Sequence, residues 1–227
     1  MTSHPPPIAV ALDTQRLETA VGWAAAAGPY VSTVKVGLEL YSAVGPDAVT
    51  AMTELGYDVF CDLKLHDIPT TVGRSARVLG SLGVAYLTLH AQGGADMLRA
   101  GVEGLALGAA QAELPTPMAL AVTVLTSDDT APPHILPKRV QLAIAAGCGG
   151  IVCAAADVRE AKQYGPRLFA VVPGIRPTGS PTHDQARAAT PLEAIQAGAD
   201  LLVIGRAVTA AEDPAAAAAA VAAELEP

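Results

Sequence analysis

Residues 60–71 read F-C-D-L-K-L-H-D-I-P-T-T, and this stretch decides how the rest of the chain is interpreted. Its apolar residues, followed by Pro69, predict a buried strand. Because side chains alternate between the two faces of a strand, Phe60, Asp62 and Lys64 share one face. A cation and an anion therefore lie side by side in an otherwise apolar strand.

A second carboxylate follows three residues after the lysine. Pro69 ends the strand, so Asp67 lies just beyond it and can approach the ammonium group of Lys64. Burying charges costs several kcal/mol each unless they are paired, and even a buried ion pair is a weak argument for stability. A structural ion pair is the simpler interpretation of Asp-x-Lys alone, and the remaining polar residues decide between it and a functional site.

Length and composition favour one acidic domain. The chain has 227 residues, 51% of them hydrophobic, and no linker divides it, so we expect residues 1–227 to form a single domain. A net charge of -8 argues against a nucleic-acid-binding protein. No apolar stretch predicts a membrane span, and three cysteines without zinc or disulfide spacing are typical of the cytoplasm.

Apolar, β-branched runs recur along the chain and alternate with segments long enough for helices. The predicted strands are residues 8–12, 33–36, 57–64, 85–89, 118–125, 150–153, 168–172 and 201–204. The predicted helices are residues 15–27, 46–55, 72–82, 95–110, 136–146, 157–163, 191–197 and 207–225. This alternation predicts parallel strands and an α/β fold, a (β/α)8 TIM barrel. A doubly wound open sheet is the alternative, but the glycine-rich first turn typical of that fold is missing after the first strand.

Polar residues stand at the C-terminal ends of the predicted strands, where the active sites of such barrels lie. Each of them alone could be a helix cap or a turn residue. Their joint placement instead predicts one functional site. The polar residues are Asp13, Lys35, Asp62, Lys64, His90, Thr126, Ser127, Arg176 and Arg206, the last of which directly follows Gly205.

The last two strand ends predict a phosphate site. Loops after strands seven and eight of such barrels commonly bind phosphate, and Gly205 and Arg206 supply close backbone approach and a forked cation. A turn followed by a surface arginine is the simpler alternative. The polar loop over residues 176–185 is typical of a lid, with Arg176 at one end and Gln185 at the other.

Taken together, these residues resemble the orotidine 5'-phosphate decarboxylase family. The matching segments occur in the family's order and span nearly the whole chain. They are A-L-D ending at Asp13, V-K-V-G-L-E-L-Y around Lys35, D-L-K-L-H-D-I-P-T-T over residues 62–71, L-T-S around Thr126, P-G-I-R ending at Arg176, D-Q-A-R around Gln185 and I-G-R ending at Arg206.

The resemblance implies cofactor-free decarboxylation of orotidine 5'-monophosphate to uridine 5'-monophosphate in de novo pyrimidine biosynthesis. In similar enzymes Lys35, Asp62, Lys64 and Asp67 form an alternating charge array. Lys64 would deliver the proton that replaces carbon dioxide. Asp67 and Thr71 would come from the neighbouring subunit of a homodimer.

The resemblance also implies which residues bind the substrate. Asp13 and Lys35 would hold ribose hydroxyls, and Thr126 would contact the pyrimidine ring, with Ser127 close enough to compete for that contact. Arg176 would anchor the lid or lie beside the phosphate. The phosphate itself would be bound by Gln185, Gly205 and Arg206.

Two other functions remain open from the sequence. A phosphosugar decarboxylase or aldolase on the same barrel would use its aspartates to bind magnesium. A nucleotide-phosphate-binding protein would keep the phosphate site without turnover. The further matching segments disfavour the first, and loss of Lys64 tests the second. The chemistry agrees with the resemblance: no motif for a cofactor that could delocalise a carbanion is visible, and a lysine between carboxylates stays protonated and can donate a proton.

Overall fold

The computed structural model describes residues 6–128, 130–177 and 189–225, and in them eight parallel strands close into a barrel. Each strand pairs with the next along the chain, and the last pairs with the first. The strands are β1 (Ile8–Ala11), β2 (Thr33–Gly37), β3 (Asp58–Leu65), β4 (Tyr86–His90), β5 (Met118–Val122), β6 (Gly150–Val152), β7 (Phe169–Val172) and β8 (Leu201–Ile204). The predicted (β/α)8 TIM barrel is confirmed, and the open-sheet alternative is wrong.

Helices connect the strands and surround the barrel. They are α1 (Leu17–Ala27), α2 (Leu38–Val44), α3 (Asp47–Glu54), α4 (Pro69–Gly80), α5 (Gly94–Gln111), α6 (Ile135–Ala146), α7 (Val158–Tyr164), α8 (Pro191–Ala197), α9 (Arg206–Thr209) and α10 (Pro214–Ala223). Within the described part of the chain, none of these helices has the length and apolar character needed to cross a membrane.

The helix predicted over residues 207–225 is wrong as a single element. The chain instead forms α9 and α10, and Asp213 caps the second of them. The carboxylate of Asp213 accepts hydrogen bonds from the backbone N–H groups of Ala215 and Ala216, both at 3.0 Å. Pro214 at the first helical position cannot donate a hydrogen bond back to a preceding turn, so a new helix begins there.

The barrel has one apolar layer inside and another between the strands and the helices. Inside, Phe60 meets Tyr86 edge to face at 6.2 Å, and Tyr86 stacks on Phe169 at 5.7 Å. Tyr86 and Phe169 stand at the first positions of β4 and β7, so these rings fill the N-terminal end of the barrel. Polar chemistry is thereby confined to the opposite end, where the strands finish.

Candidate active site

A cavity of about 460 Å³ opens at the C-terminal end of the barrel. Its volume lies within the range typical of sites for small molecules. Most of the polar residues predicted from the strand ends line it. The lining residues are Ala11, Asp13, Lys35, Glu39, Phe60, Asp62, Lys64, Val122, Val124, Leu125, Thr126, Val152, Pro173, Gly174, Arg176, Val203, Gly205 and Arg206.

Four charged side chains form an alternating row along one wall of this cavity. Lys64 Nζ lies 2.9 Å and 2.8 Å from the two carboxylate oxygens of Asp62. Asp62 Oδ2 lies 3.7 Å from Lys35 Nζ, which is itself 3.0 Å from Asp13 Oδ1. The side chains of Lys35 and Asp62 are only 11% and 12% exposed, whereas that of Lys64 is 32% exposed. The row is therefore anchored in the protein at its centre and presents Lys64 to the cavity.

Neighbouring strands bring this row together. Ala11 at the end of β1 pairs with Lys35 in β2, and Gly37 at the end of β2 pairs with Asp62 in β3. Gly37 leaves the space that the first ion pair occupies: a Cβ atom on this residue would lie 2.7 Å from Lys35 Nζ and 3.0 Å from Asp13 Oδ1. The parallel pairing thus places the charged residues at the same height along the barrel, and the absence of a side chain at Gly37 leaves space for the ion pair of Lys35 with Asp13.

A bulge in β3 carries the central pair. Cys61 pairs with Leu87 and Leu65 pairs with Leu89, so three residues of β3, from Asp62 to Lys64, lie opposite the single residue between Leu87 and Leu89 in β4. Within the bulge Lys64 has a left-handed backbone, with φ of 50°. The regular alternation predicted for this strand is interrupted here, although Asp62 and Lys64 line the same cavity as predicted.

Thr88 is the residue opposite the bulge. Its hydroxyl accepts a hydrogen bond from the backbone N–H of Lys64 at 2.8 Å and donates one to Asp62 Oδ1 at 3.0 Å. Thr88 is completely buried. One side chain therefore contacts both members of the central ion pair.

Within one chain, the structure does not bring Asp67 to Lys64. No ion pair joins these two residues, both of which the structure describes, and Asp67 Oδ1 instead accepts a hydrogen bond from the backbone N–H of Ile68 at 2.6 Å. Asp67 and Thr71 are exposed, and neither lines the cavity. Ile68 between them is 66% exposed, which is high for a large apolar side chain. The contribution of Asp67 and Thr71 to a neighbouring subunit stays a prediction.

Two arginines, Arg176 and Arg206, line the end of the cavity formed after β7 and β8. Arg176 is only 7% exposed; its Nη1 donates to the carbonyl of Ile175 at 2.8 Å, and among the described residues its Nε finds no hydrogen-bond partner. Burial, and secondly the nearby charge of Arg206, lower the pKa of the Arg176 guanidinium below its usual value. Two cations that line the same end of a cavity favour the binding of an anion there.

Glycines shape the backbone around these arginines. Gly174 has φ of 80°, a conformation that L side chains rarely adopt. Gly205 lies directly before the single turn of α9, and a Cβ atom there would meet only Ala11 Cβ, at 3.7 Å. Gly205 therefore leaves its side of the cavity open to a ligand. Gln185 and most of the predicted lid fall in residues 178–188, outside the described residues.

Thr126 lines the cavity, whereas Ser127 is not among the lining residues. Both lie beyond the end of β5, because this strand ends at Val122 rather than at residue 125. The next residue, Thr123, turns its hydroxyl to the carbonyl of Val152 at 2.9 Å. Of the two side chains considered for contact with a bound ring, the structure favours Thr126.

The two histidines near the motif lie outside the cavity lining. His66 and His90 stack with ring centroids 5.4 Å apart, and His90 Nδ1 accepts a hydrogen bond from the backbone N–H of Gln92 at 3.3 Å. Burial lowers the pKa of His90, and the charges of Arg139, His66 and Lys64 lower it further, in that order. The neutral form of His90, at the end of β4, is therefore favoured.

Sequence reasoning missed two residues of the site. Glu39 lines the cavity mouth from α2, a helix that was not predicted. Thr88 is the polar centre of the apolar segment Y-L-T-L-H, and a buried polar residue in a strand next to a charged strand could have drawn attention to it. Its contacts depend on the pairing of β3 with β4, which the sequence of either strand alone does not define.

The carboxylates of the row face ammonium groups rather than one another. Asp13 contacts Lys35, and Asp62 contacts Lys64 through both oxygens. Among the residues that the structure describes, no group of three or more His, Cys, Asp or Glu side chains could hold a metal ion. Both aspartates of the row are thus already paired with ammonium groups in this structure.

Comparison with known proteins extends these observations. Residues 6–221 match the family model described as "Orotidine 5'-phosphate decarboxylase / HUMPS family". The chain is 50% identical to the orotidine 5'-phosphate decarboxylase of Thermobifida fusca (strain YX), covering 97% of this chain and 96% of that protein. It is 48% identical to the protein of the same name from Anaeromyxobacter sp. (strain K), covering 96% and 97%.

A solved structure is also similar. The crystal structure of orotidine 5'-phosphate decarboxylase from Lactobacillus acidophilus matches with a TM-score of 0.78 and 33% identity, covering 97% of this chain and 99% of that one. The similarity in sequence and in fold thus extends over nearly the whole length of each protein.

Proposed function

This chain belongs to the orotidine 5'-phosphate decarboxylase family and is a carboxy-lyase, and we propose that it converts orotidine 5'-monophosphate to uridine 5'-monophosphate in pyrimidine biosynthesis, with Lys64 as the proton donor. One observation carries the mechanistic part of the proposal. The row Asp13, Lys35, Asp62 and Lys64 lines the same cavity as two arginines suited to an anion.

Decarboxylation requires a proton donor beside the ring carbon that loses its carboxylate. When the bond between that ring carbon and the carboxylate breaks, carbon dioxide leaves and the electron pair stays on the ring carbon. Lys64 Nζ, held by both oxygens of Asp62, is a cation that stabilises this developing charge and then transfers a proton to the carbon. The neutral amine left on Lys64 regains a proton from water after the product leaves.

Binding at the phosphate end supports the reaction at the ring. Asp62 lies where a substrate carboxylate would approach Lys64, so the substrate fits this end of the cavity poorly before it reacts. Binding energy from a phosphate held by Arg176 and Arg206 offsets that poor fit, and the strain is released in the transition state. In this scheme the two arginines bind the substrate, and the charged row accelerates its decarboxylation.

Other residues that line the cavity are proposed to bind the ribose and the pyrimidine ring. The resemblance to the family implies that Asp13 and Lys35 hold ribose hydroxyls and that Thr126 contacts the pyrimidine ring, and all three line the cavity. Gln185, with Gly205, would complete the phosphate site when the loop over residues 176–185 closes as a lid. No cofactor takes part in this proposal.

We also propose that the active unit is a homodimer in the cytoplasm. The exposed apolar side chain of Ile68, between Asp67 and Thr71, supports an interface at this loop. In the dimer Asp67 would reach the Lys64 ammonium group of the neighbouring subunit, and Thr71 would reach its substrate. The three cysteines are present as buried thiols, which suits a reducing compartment.

The direct test is to mix the purified protein with orotidine 5'-monophosphate and follow the loss of its ultraviolet absorbance, without added metal and with a chelator present. We expect rapid decarboxylation that the chelator leaves unchanged. Loss of activity with the chelator, restored by magnesium, would instead support a metal-dependent enzyme on the same barrel.

The non-catalytic alternative is tested by Lys64→Ala. We expect this variant to bind uridine 5'-monophosphate while its turnover falls by at least about a thousandfold, because the charge and the proton donor are both lost. A protein that only binds nucleotides would show no turnover in the parent either. Turnover by Lys64→Ala near the parent rate would remove Lys64 from the mechanism.

A further inference from the structure

We propose that Thr88 is a positioning residue that sets the location of the Lys64 ammonium group for proton transfer, an inference that rests on the proposed function. Thr88 does not line the cavity and has no exposed surface, so it cannot touch the substrate. It acts through Asp62 and Lys64, both of which its hydroxyl contacts.

The direction of both hydrogen bonds is fixed by chemistry. The backbone N–H of Lys64 can only donate, so the oxygen of Thr88 accepts from it at 2.8 Å. The carboxylate of Asp62 accepts, so the single hydroxyl hydrogen of Thr88 points to Asp62 Oδ1 at 3.0 Å. The hydroxyl group is thus used as a donor and as an acceptor at once, and a methyl group in its place would satisfy neither partner.

The backbone of Lys64 needs such support. A lysine at φ of 50° is in the left-handed region, which residues with a side chain seldom occupy unless their surroundings hold them there. In the bulge, Thr88 is the one β4 residue opposite three residues of β3, so the usual ladder of hydrogen bonds is interrupted at this point. The bond from the Lys64 N–H to Thr88 replaces part of that ladder.

The carboxylate of Asp62 also needs a fixed orientation. It shares its charge between Lys64 Nζ, at 2.8 Å and 2.9 Å, and Lys35 Nζ, at 3.7 Å. Rotation of the carboxylate would move it toward Lys35 and loosen its two contacts with Lys64. The bond from Thr88 to Oδ1 opposes this rotation, so it keeps both oxygens on the proton donor.

These contacts predict a particular kinetic effect. Losing the hydroxyl should displace the proton donor, while the phosphate of the substrate still meets Arg176 and Arg206, which lie on other elements. Because a displacement of about 1 Å can slow a reaction by roughly a hundredfold, kcat should fall by about ten- to a hundredfold. KM and the affinity for uridine 5'-monophosphate should stay close to those of the parent.

The experiment compares Thr88→Val, which keeps the volume and loses the hydroxyl, with Thr88→Ser, which keeps the hydroxyl. We expect the low kcat only in Thr88→Val and recovery of most of the parent kcat in Thr88→Ser. Thr123→Val is the matched control, because Thr123 is equally buried but its hydroxyl donates to the carbonyl of Val152. Its kcat should remain close to that of the parent.

Thermal unfolding of each variant shows whether it is folded. If Thr88→Val does not fold, Thr88→Ser and Thr88→Ala form a second pair that differs only in the hydroxyl, and kcat should be lower in the alanine variant. Equal kcat in parent and Thr88→Val, or equally low kcat in Thr88→Val and Thr88→Ser, would overturn the inference. A parent without decarboxylase activity would overturn the proposed function instead, so the two failures are distinguishable.

Discussion

Gly37 lies so close to the side chain of Lys35 that a Cβ atom on the glycine would stand 2.7 Å from the ammonium nitrogen. Gly37 has an ordinary extended backbone, with φ of -93° and ψ of -177°, so its conformation does not require glycine. Glycine is needed at this position because a side chain would collide with the ammonium group of Lys35, and not because of its backbone conformation.

This relationship predicts that Gly37→Ala separates activity from stability. The new methyl group would displace the flexible end of Lys35, so we expect kcat/KM to fall by roughly tenfold or more. The free energy of unfolding should change by less than about 1 kcal/mol, because only side-chain ends must move. Steady-state kinetics and denaturant unfolding of the same preparation measure both quantities.

Gly22→Ala is the control for that experiment. Gly22 lies in α1, is exposed, and a Cβ atom there would meet nothing within 4 Å. Alanine should raise the free energy of unfolding by about 0.5–1 kcal/mol and leave kcat/KM unchanged. Parent-like kcat/KM in Gly37→Ala would contradict the role assigned to the space beside Lys35.

Hybrid dimers test whether Asp67 serves the neighbouring subunit. Lys64→Ala and Asp67→Ala should each be nearly inactive alone. When the two are coexpressed, half of the dimers are hybrids, and each hybrid has one site with both residues intact, so about a quarter of the parent activity should return. Coexpression of Lys64→Ala with the double variant Lys64→Ala/Asp67→Ala is the control, since no pairing restores a site. Two inactive variants without rescue would show that Asp67 acts in its own subunit, and parent-like activity of Asp67→Ala alone would show that it has no part in the reaction.

Arg206→Ala tests the phosphate end of the cavity. Loss of a charge-assisted contact with phosphate should weaken the binding of uridine 5'-monophosphate by about ten- to a hundredfold. The affinity for uridine, which has no phosphate, should change little. Titration calorimetry with both ligands measures the difference, and an equal loss for both would place the effect of Arg206 elsewhere in the site.

The lowered pKa of His90 predicts how stability responds to acid. Well above pH 6.5, the ordinary pKa of histidine, His90 is neutral in both the folded and the unfolded chain. Below that value the unfolded chain takes up a proton that the folded chain resists, because of burial and the charges of Arg139, His66 and Lys64. The free energy of unfolding should therefore decrease as pH falls below 6.5, until the lower pKa of the folded state is passed.

His90→Gln should lose this part of the decrease, because glutamine does not titrate and can still accept the bond from Gln92. Denaturant unfolding between about pH 7.5 and pH 5.5 measures it. His134→Gln, a change at an exposed histidine, should keep the pH dependence of the parent. Parallel curves for the parent and His90→Gln would contradict the assignment.

The sequence predicted the barrel because each strand is a short apolar run between clear breaks. It missed α2 because Leu38 follows β2 directly after Gly37, without a loop to mark the change from a strand to a helix. It also joined α9 and α10, since the alanine-rich composition of residues 207–225 hides the break at Pro214. The local sequence pattern therefore predicts the presence of helices and strands more reliably than it predicts the residues at which they begin and end.

The sequence predicted those residues of the site that stand at or near the C-terminal ends of strands. Asp62 and Lys64 were predicted to lie together because residues that are two positions apart on a strand share one face. Their contact with Thr88 was not predictable, since it depends on a shift in pairing between β3 and β4 that involves both strands at once. The position of Asp67 could not follow from one chain if its partner is a second copy of the same chain.

The shift between β3 and β4 has a consequence for anyone who wishes to graft this site onto another barrel. In an evenly pleated strand, residues i and i+2 are separated by about 6.6 Å along the strand, and the lysine would lack the left-handed backbone that Lys64 has here. Copying Asp-x-Lys alone would therefore transplant the residue types without their geometry. The two additional residues of β3, together with a hydroxyl on the adjoining strand, form the smallest unit worth transferring.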